Sequence, residues 1–571
     1  MKYLETKTSH NIIIERVIEL FGIVSLGYLF FIIIYGHVGF IFNQTITKFT
    51  LPISFALYSL LVCIVTVFLK QFTKDKKYYL VALTVFVLFS ISMFFLSMKY
   101  FSRTYDTSWD GQGYHSNGII SFARGWNPVY EKELPLKFPD ASIFVKGYPK
   151  ALWLIQSSIY LTTGSINAGK VTNLVALIIA VAFSYTFLRK LKIPIPTTLF
   201  LTTLLVFQPP FLMQFFSFSA DGFSYELFVI AIASLVIFAL NTKVNESLVA
   251  FTVAELILAG TKFSNLPIVV ALGSIFLLNF FRKSINRALV IILTVGGLIF
   301  IFVPYATNGI FYKDLFYPTN LKAISDSYKN DNIPKNLSNS NKLTLFFYGV
   351  FSQSQVKSMG RDDPLNKAVL KIPFTFTKEE IINSASIFNN RVGSAGSLFS
   401  GIVVLSIVTG MLMCYLGLRN IEMRKGLLIM VGAVGICLTV TLLNPVPNLI
   451  RYNSQIVLIP FVVVITALIG FKNSTFIRIL AYLMLIFIFF NMSIYSGSVL
   501  ERKMKETIEI NKQLNLMKQS QSSYMVKANN FYSNYIRLQE YQIPFEITDH
   551  LKCSNQEILL NSSYTTRFCK K

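Results

Sequence analysis

The chain has 571 residues, of which 53% are hydrophobic and 14% charged, with a mean hydropathy of +0.55; this excludes an ordinary soluble globular domain and points to an all-α polytopic membrane protein. The formal net charge of +24 invites a nucleic-acid reading. Lys and Arg gather instead in short segments between apolar runs, as charges that set membrane orientation do, so no nucleic-acid partner is expected.

In chain order, apolar runs fall at Val17 to Phe42, Leu51 to Leu69 and Tyr79 to Met98, then at Val171 to Leu188, Thr197 to Met213, Gly222 to Leu240, Ser247 to Gly260, Asn265 to Phe281 and Ala288 to Tyr305. Ser397 to Leu418, Gly426 to Leu443, Tyr452 to Phe471 and Phe476 to Tyr495 complete the set. They predict about 13 transmembrane helices, some shorter than the ~20 residues of a straight crossing. The N-terminus is polar and the first run is a full span, so no cleavable signal peptide is expected. The basic loops Lys70 to Lys77, Arg189 to Lys192, Phe281 to Arg287, Arg419 to Lys425 and Phe471 to Arg478 all fall on one side when the spans alternate. That side is expected to be cytoplasmic. The run Ala151 to Thr163 would break the alternation if it crossed; at 13 residues it reads as a helix lying along the outer interface.

This divides the chain into a three-helix segment (1–98), a first outer loop with an acidic motif and the interfacial helix (99–170), a transmembrane core (171–305), a second outer loop (306–396), C-terminal helices (397–495) and an extracytoplasmic tail (496–571). Cys63, Cys414 and Cys437 lie in apolar runs and pack as small hydrophobes. Cys553 and Cys569, both in the polar tail, are the two that can pair.

Chemistry is expected where polar residues meet hydrocarbon. The stretch Thr104 to Tyr130 (TYDTSWDGQGYHSNGIISFARGWNPVY) follows an apolar run directly. In it Asp106 and Asp110 precede Gly111 and Gly113, so two carboxylates sit where the backbone turns sharply and divide the labour of general base and of holding an acceptor or cation. Asp110 is the preferred base and Asp106 the alternate. His115 reads as a phosphate donor or metal ligand, or as an interfacial imidazole satisfied by a carbonyl. Lys150, in the turn Gly147-Tyr148-Pro149-Lys150, reads either as a grip on a lipid phosphate or as a snorkelling anchor. Asp221 and Lys262 stand at span ends, where charge is costly and often functional. Arg391 and Arg451 adjoin spans on the same side, and guanidinium groups there suit a phosphate oxyanion.

Together these residues resemble the GT-C superfamily of integral membrane glycosyltransferases, in the branch of the protein-mannosyl and aminoarabinose transferases. The resemblance is carried by the acidic loop YDTSWDGQGYH, the Tyr-Pro-Lys turn at Tyr148 to Lys150, Asp221 after a later span, and the outer stretches TKF, PYATN…FYP and RVGSAG; it covers most of Lys99 to Phe471. Two departures stand out. The acidic loop follows the third span rather than the first, and the branch's Lys-Pro-Pro appears only as Tyr-Pro-Lys. The resemblance implies a polyprenyl-phosphate-linked sugar donor, a cell-envelope acceptor (glycan, lipid or protein), a loop carboxylate as base, cationic side chains on the departing phosphate, and an active site on the extracytoplasmic side of the cytoplasmic membrane. Members differ in metal use, so a divalent cation stays open. The contrasting readings are a lipid-linked oligosaccharide flippase, which should show paired repeats and mid-membrane charges, and an envelope polysaccharide polymerase.

Overall fold

A computed structural model describes residues 2–68, 76–212, 214–240, 244–281, 287–354, 367–382, 390–417, 421–551, 553, 557–558 and 566–571. Among these, ten helices are long and apolar enough to cross a membrane, which makes this a polytopic, mainly α-helical membrane protein. The principal helices are α1 (Lys2–Ile41), α2 (Thr50–Phe68), α3 (Lys76–Lys99), α4 (Ser116–Ala123), α5 (Ala151–Thr163), α6 (Val171–Lys190), α7 (Ile195–Val206), α8 (Ala220–Ala239), α9 (Val244–Ala259), α10 (Leu266–Phe280) and α11 (Arg287–Ile301). They continue as α12 (Lys342–Phe351), α13 (Phe399–Gly417), α14 (Ile421–Leu443), α15 (Ile459–Gly470), α16 (Thr475–Gln519) and α17 (Ser533–Glu540).

Over the described residues all thirteen apolar runs fall on helices, but α7 has 12 residues, α9 has 16 and α15 has 12, whereas α10 and α11, 15 residues each, are extended by adjoining turns into apolar spans of 18 and 24 residues. Local chemistry sets several boundaries. A proline in the first turn, where no backbone N–H is needed, opens α7, α10 and α15. Gly164, at φ +74, closes α5 in the left-handed conformation that glycine adopts freely.

The core is one large cluster in which α8 packs against α6 and α9, and α1 against α3, α6 and α9. At one end of the bundle Arg16 pairs with Glu19 and Glu246, and Arg189 of α6 pairs with Glu15 of α1. Of the basic loops expected on this side, residues 70–75, 282–286 and 418–420 lie outside the described residues. The opposite end carries 104–165, the starts of α8 and α10, and the described residues after α16.

Two expectations change. The 13-residue helix read as interfacial is enclosed: Ala151 to Ile159 of α5 are all buried, packed on α4 and α1. A short apolar run fits a buried core helix as well as an interfacial one, and here the surrounding loop folds over it. The fold is also not purely helical. After α16, which runs 45 residues without a break, the strands β1 (Tyr524–Lys527), β2 (Phe545–Ile547), β3 (Glu557–Ile558) and β4 (Arg567–Lys570) form a sheet in the order β2-β1-β4-β3, parallel between β1 and β2 and antiparallel elsewhere. Ile510, Leu514 and Met517 of α16 join Val526, Leu538 and Phe568 in a second core, and Tyr105 of the first loop is part of it. Cys553 and Cys569 are disulfide-bonded.

Candidate functional site

The two loop carboxylates occupy different environments. Asp106 is fully buried and accepts four hydrogen bonds: from the Ser108 amide (2.8 Å) and hydroxyl (2.7 Å), from the Ser217 hydroxyl (2.9 Å) and from the Phe218 amide (2.7 Å). It thus fastens the first loop to the turn that precedes α8. Gly111 is needed beside it, because a Cβ there would lie 1.8 Å from Asp106 Oδ2. Asp110, four residues on, instead faces the open side of the loop and is paired with Arg451 Nη1 at 3.2 Å, both side chains keeping some exposure.

Around that pair a second ion pair and a set of rings assemble. Asp221, in the first turn of α8, is paired with Lys262 and also accepts from Gln214 Nε2 at 3.2 Å. The Lys262 ammonium lies 3.7 Å from the centre of the Tyr452 ring, the Arg451 guanidinium lies 4.7 Å from it, and Arg451 Nη2 donates to the Tyr452 hydroxyl at 2.9 Å. Cation–ring contacts of this kind strengthen where water is excluded. Tyr148 packs against Tyr114 (5.6 Å between ring centres), Phe144 (5.3 Å) and Phe263 (5.9 Å).

Electrostatics follow from this crowding. Burial works against the Arg451 charge, and Tyr452, Asp110 and Asp221 more than offset it, so its pKa is raised. Burial lowers that of Lys262, against the pull of Asp221. The Tyr114, Tyr148 and Tyr452 phenols are pushed up, first by burial and then, for Tyr114 and Tyr148, by Asp110 and Asp221. Arg391 is lowered by burial and further by Arg451, with Asp331 opposing; its Nη1 is buried and makes no hydrogen bond among the described residues.

His115 contributes a fixed tautomer. Its Nδ1 accepts from the Trp153 indole at 2.7 Å; an indole N–H only donates, so the imidazole is neutral and carries its proton on Nε2. Burial pushes its pKa down to about 3, with Asp221 opposing and Lys262 assisting.

Of the residues singled out from the sequence, Asp110, His115, Tyr148, Asp221, Lys262, Arg391 and Arg451 come together at one end of the bundle. Asp106 stands behind them as a fastener. Lys150 is separate: fully buried, it donates to the Lys146 and Tyr148 carbonyls (2.8 Å each) and lies 5.5 Å from the Trp126 ring. Burial lowers its pKa to about 7. The sequence marks Tyr114 only as one of the aromatics flanking the two acids and Tyr452 only as the end of an outer stretch, though it follows Arg451 directly; sequence reasoning overlooked Gln214 and Trp153. It also overlooked Arg537 of α17, which donates to the Asp106 carbonyl (3.1 Å), to Asn534 Oδ1 (2.8 Å) and to Gln112 Oε1 (3.5 Å), and stacks over Tyr105 at 4.8 Å. Among the described residues no three His, Cys, Asp or Glu side chains converge as metal ligands.

In comparisons with known proteins, the chain matches no family model, no curated protein and no solved structure.

Proposed function

We infer that the chain is a membrane glycosyltransferase that moves a sugar from a polyprenyl-phosphate carrier to a cell-envelope acceptor at the extracytoplasmic face of the cytoplasmic membrane. The observation that carries this reading is the convergence of one accessible carboxylate, Asp110, with the cations Arg451, Lys262 and Arg391 at one end of a bundle of apolar helices. A lipid-borne phosphate arrives at that depth, and such a cluster is suited to it.

In this reading the acceptor hydroxyl attacks the anomeric carbon as the bond from that carbon to the phosphate oxygen breaks. Asp110 takes the hydroxyl proton. The bonding pair leaves with the lipid phosphate, whose growing negative charge Arg451, Arg391 and Lys262 stabilise, and the configuration at the anomeric carbon inverts. Asp221 holds Lys262 in place, and the neutral His115 offers its Nε2 proton as a hydrogen-bond donor without adding charge. Tyr148 and Tyr114 supply apolar ring surface for the sugar. Asp106 serves the reaction through position alone, and Lys150 supports the start of α5.

The test is to incubate the purified protein in lipid nanodiscs with a panel of polyprenyl-phosphate sugars and candidate acceptors and to follow release of the lipid phosphate. Release that depends on Asp110 supports the reading. If no sugar in the panel is released while lipid-linked oligosaccharide is moved across the bilayer, the flippase reading replaces it.

A further inference from the structure

The segment 306–396 reads from its sequence as an outer loop, yet its described residues expose large apolar side chains in an ordered pattern. On α12, Leu343 (64% exposed) and Phe347 (47%) stand four residues apart and so share one face, while Leu345, Gly349 and Val350 are buried on the other. A second strip lies alongside, joined by the bridge between Ser352 and Leu370 and by hydrogen bonds from the Gln353 amide to the Val369 carbonyl (2.8 Å) and from the Lys371 amide to the Phe351 carbonyl (3.0 Å). It exposes Ile372 (74%) and Phe376 (52%).

Both strips are held against spanning helices. Lys342 Nζ donates to the carbonyl of Leu443, the last residue of α14 (3.2 Å). Phe374 packs on Phe487 of α16 with 4.8 Å between ring centres and covers Gly401 of α13. Leu443 is itself exposed, so the strip on α12 adjoins the exposed apolar end of a spanning helix. An exposed apolar surface rimmed by polar groups marks a binding face, and an amphipathic helix lying at a hydrocarbon boundary fits the plane of a bilayer.

We propose that Lys342–Phe351 and the strip 369–376 form one monotopic element inserted into the lipid leaflet at the site-bearing end of the bundle, its partner being the boundary between acyl chains and headgroups. The element bears directly on the candidate site. A Cβ at Gly349 would lie 2.7 Å from the Asn448 backbone, the Gly349 carbonyl accepts from the Gly393 amide (2.9 Å), and Asn448 Nδ2 donates to the Arg391 carbonyl (2.9 Å). The lipid-seated element therefore abuts both backbone stretches that carry Arg391 and Arg451, and it sets their height against the headgroups. The insertion does not depend on the glycosyl-transfer reading.

The test uses the full-length protein with Cys63, Cys414 and Cys437 replaced and the Cys553–Cys569 disulfide kept. A nitroxide is placed in turn at Phe347→Cys, Ile372→Cys and the aqueous control Lys335→Cys, and the protein is reconstituted in nanodiscs. Collision rates with oxygen, which concentrates in lipid, and with a neutral nickel chelate, which stays in water, are measured for each. Insertion gives an oxygen-to-nickel ratio several-fold higher at 347 and 372 than at 335. Equal ratios at all three positions overturn the proposal, and so does shielding of 347 and 372 from both reagents, which would put protein rather than lipid on this face. If either variant fails to insert, Leu343→Cys on the same face of α12 replaces it with the same criterion.

Discussion

Asp106 and Asp110 are four residues apart, of one chemical type and in one loop, yet their substitutions should fail in different ways. Asp110→Asn keeps the shape and removes the proton affinity, so the turnover of an authentic donor and acceptor should fall by about 10²–10⁴-fold with thermal stability unchanged. Asp106→Asn puts an amide among donors that need an acceptor on both oxygens, and a buried donor left unmet costs roughly 1–3 kcal/mol. Its signature should be a lowered melting temperature. Wild-type turnover in Asp110→Asn would remove Asp110 as the base. Lys150 gives a pH-dependent prediction. Its folded pKa of about 7 lies below the ordinary 10.5, so between those values the unfolded chain binds more protons than the folded one, and stability rises with pH through that window. Denaturation followed from pH 7 to 10 should show this slope in the wild type and a smaller one in Lys150→Met; equal slopes would contradict it.

At the scale of elements, the cap formed by α17 and the sheet holds the first loop from above. Asn530 accepts from Asn117 through its backbone carbonyl (2.7 Å), accepts from the Asp140 backbone amide at Oδ1 (3.0 Å) and donates from Nδ2 to Asp140 Oδ2 (2.9 Å), while Glu540 accepts from the Ile166 amide (2.9 Å). Arg537 reaches deepest. On the proposed reading, Arg537→Ala should lower kcat with KM for the donor nearly constant, since it touches the loop behind Asp110 and not the proposed phosphate site; a KM effect alone would place Arg537 at the substrate. Opening the Cys553–Cys569 disulfide should cost about 3 kcal/mol in the chain-entropy model for a loop of this size, read as a lower midpoint of cap unfolding after mild reduction; an unmoved midpoint would show that the bond does not stabilise the cap. The apolar runs were legible as helices because hydrocarbon length is a strong signal. The cap was not, since strands of two to four residues are too short for an alternation to stand out. Nor did the sequence distinguish Asp106 from Asp110, because the partners that bury Asp106, Ser217 and Phe218, are over a hundred positions away.

At the scale of the whole molecule, the candidate site and the ion pairs of Arg16 and Arg189 mark opposite ends of the bundle. From the placement of the basic loops we propose that the second end is cytoplasmic. In right-side-out vesicles an impermeant thiol reagent should label Asn339→Cys and leave Lys472→Cys unlabelled; the reverse pattern would invert the protein. The cap has a further consequence, in biosynthetic time. Arg537 and the Asp106 carbonyl that it holds are 431 residues apart in the chain, which at 5–20 residues per second is roughly 20–90 s of translation. Throughout that interval the loop is already across or beside the membrane without its clamp. The loop that holds Asp110 is therefore made long before the residue that clamps it, and it reaches its final register only once α17 has been made.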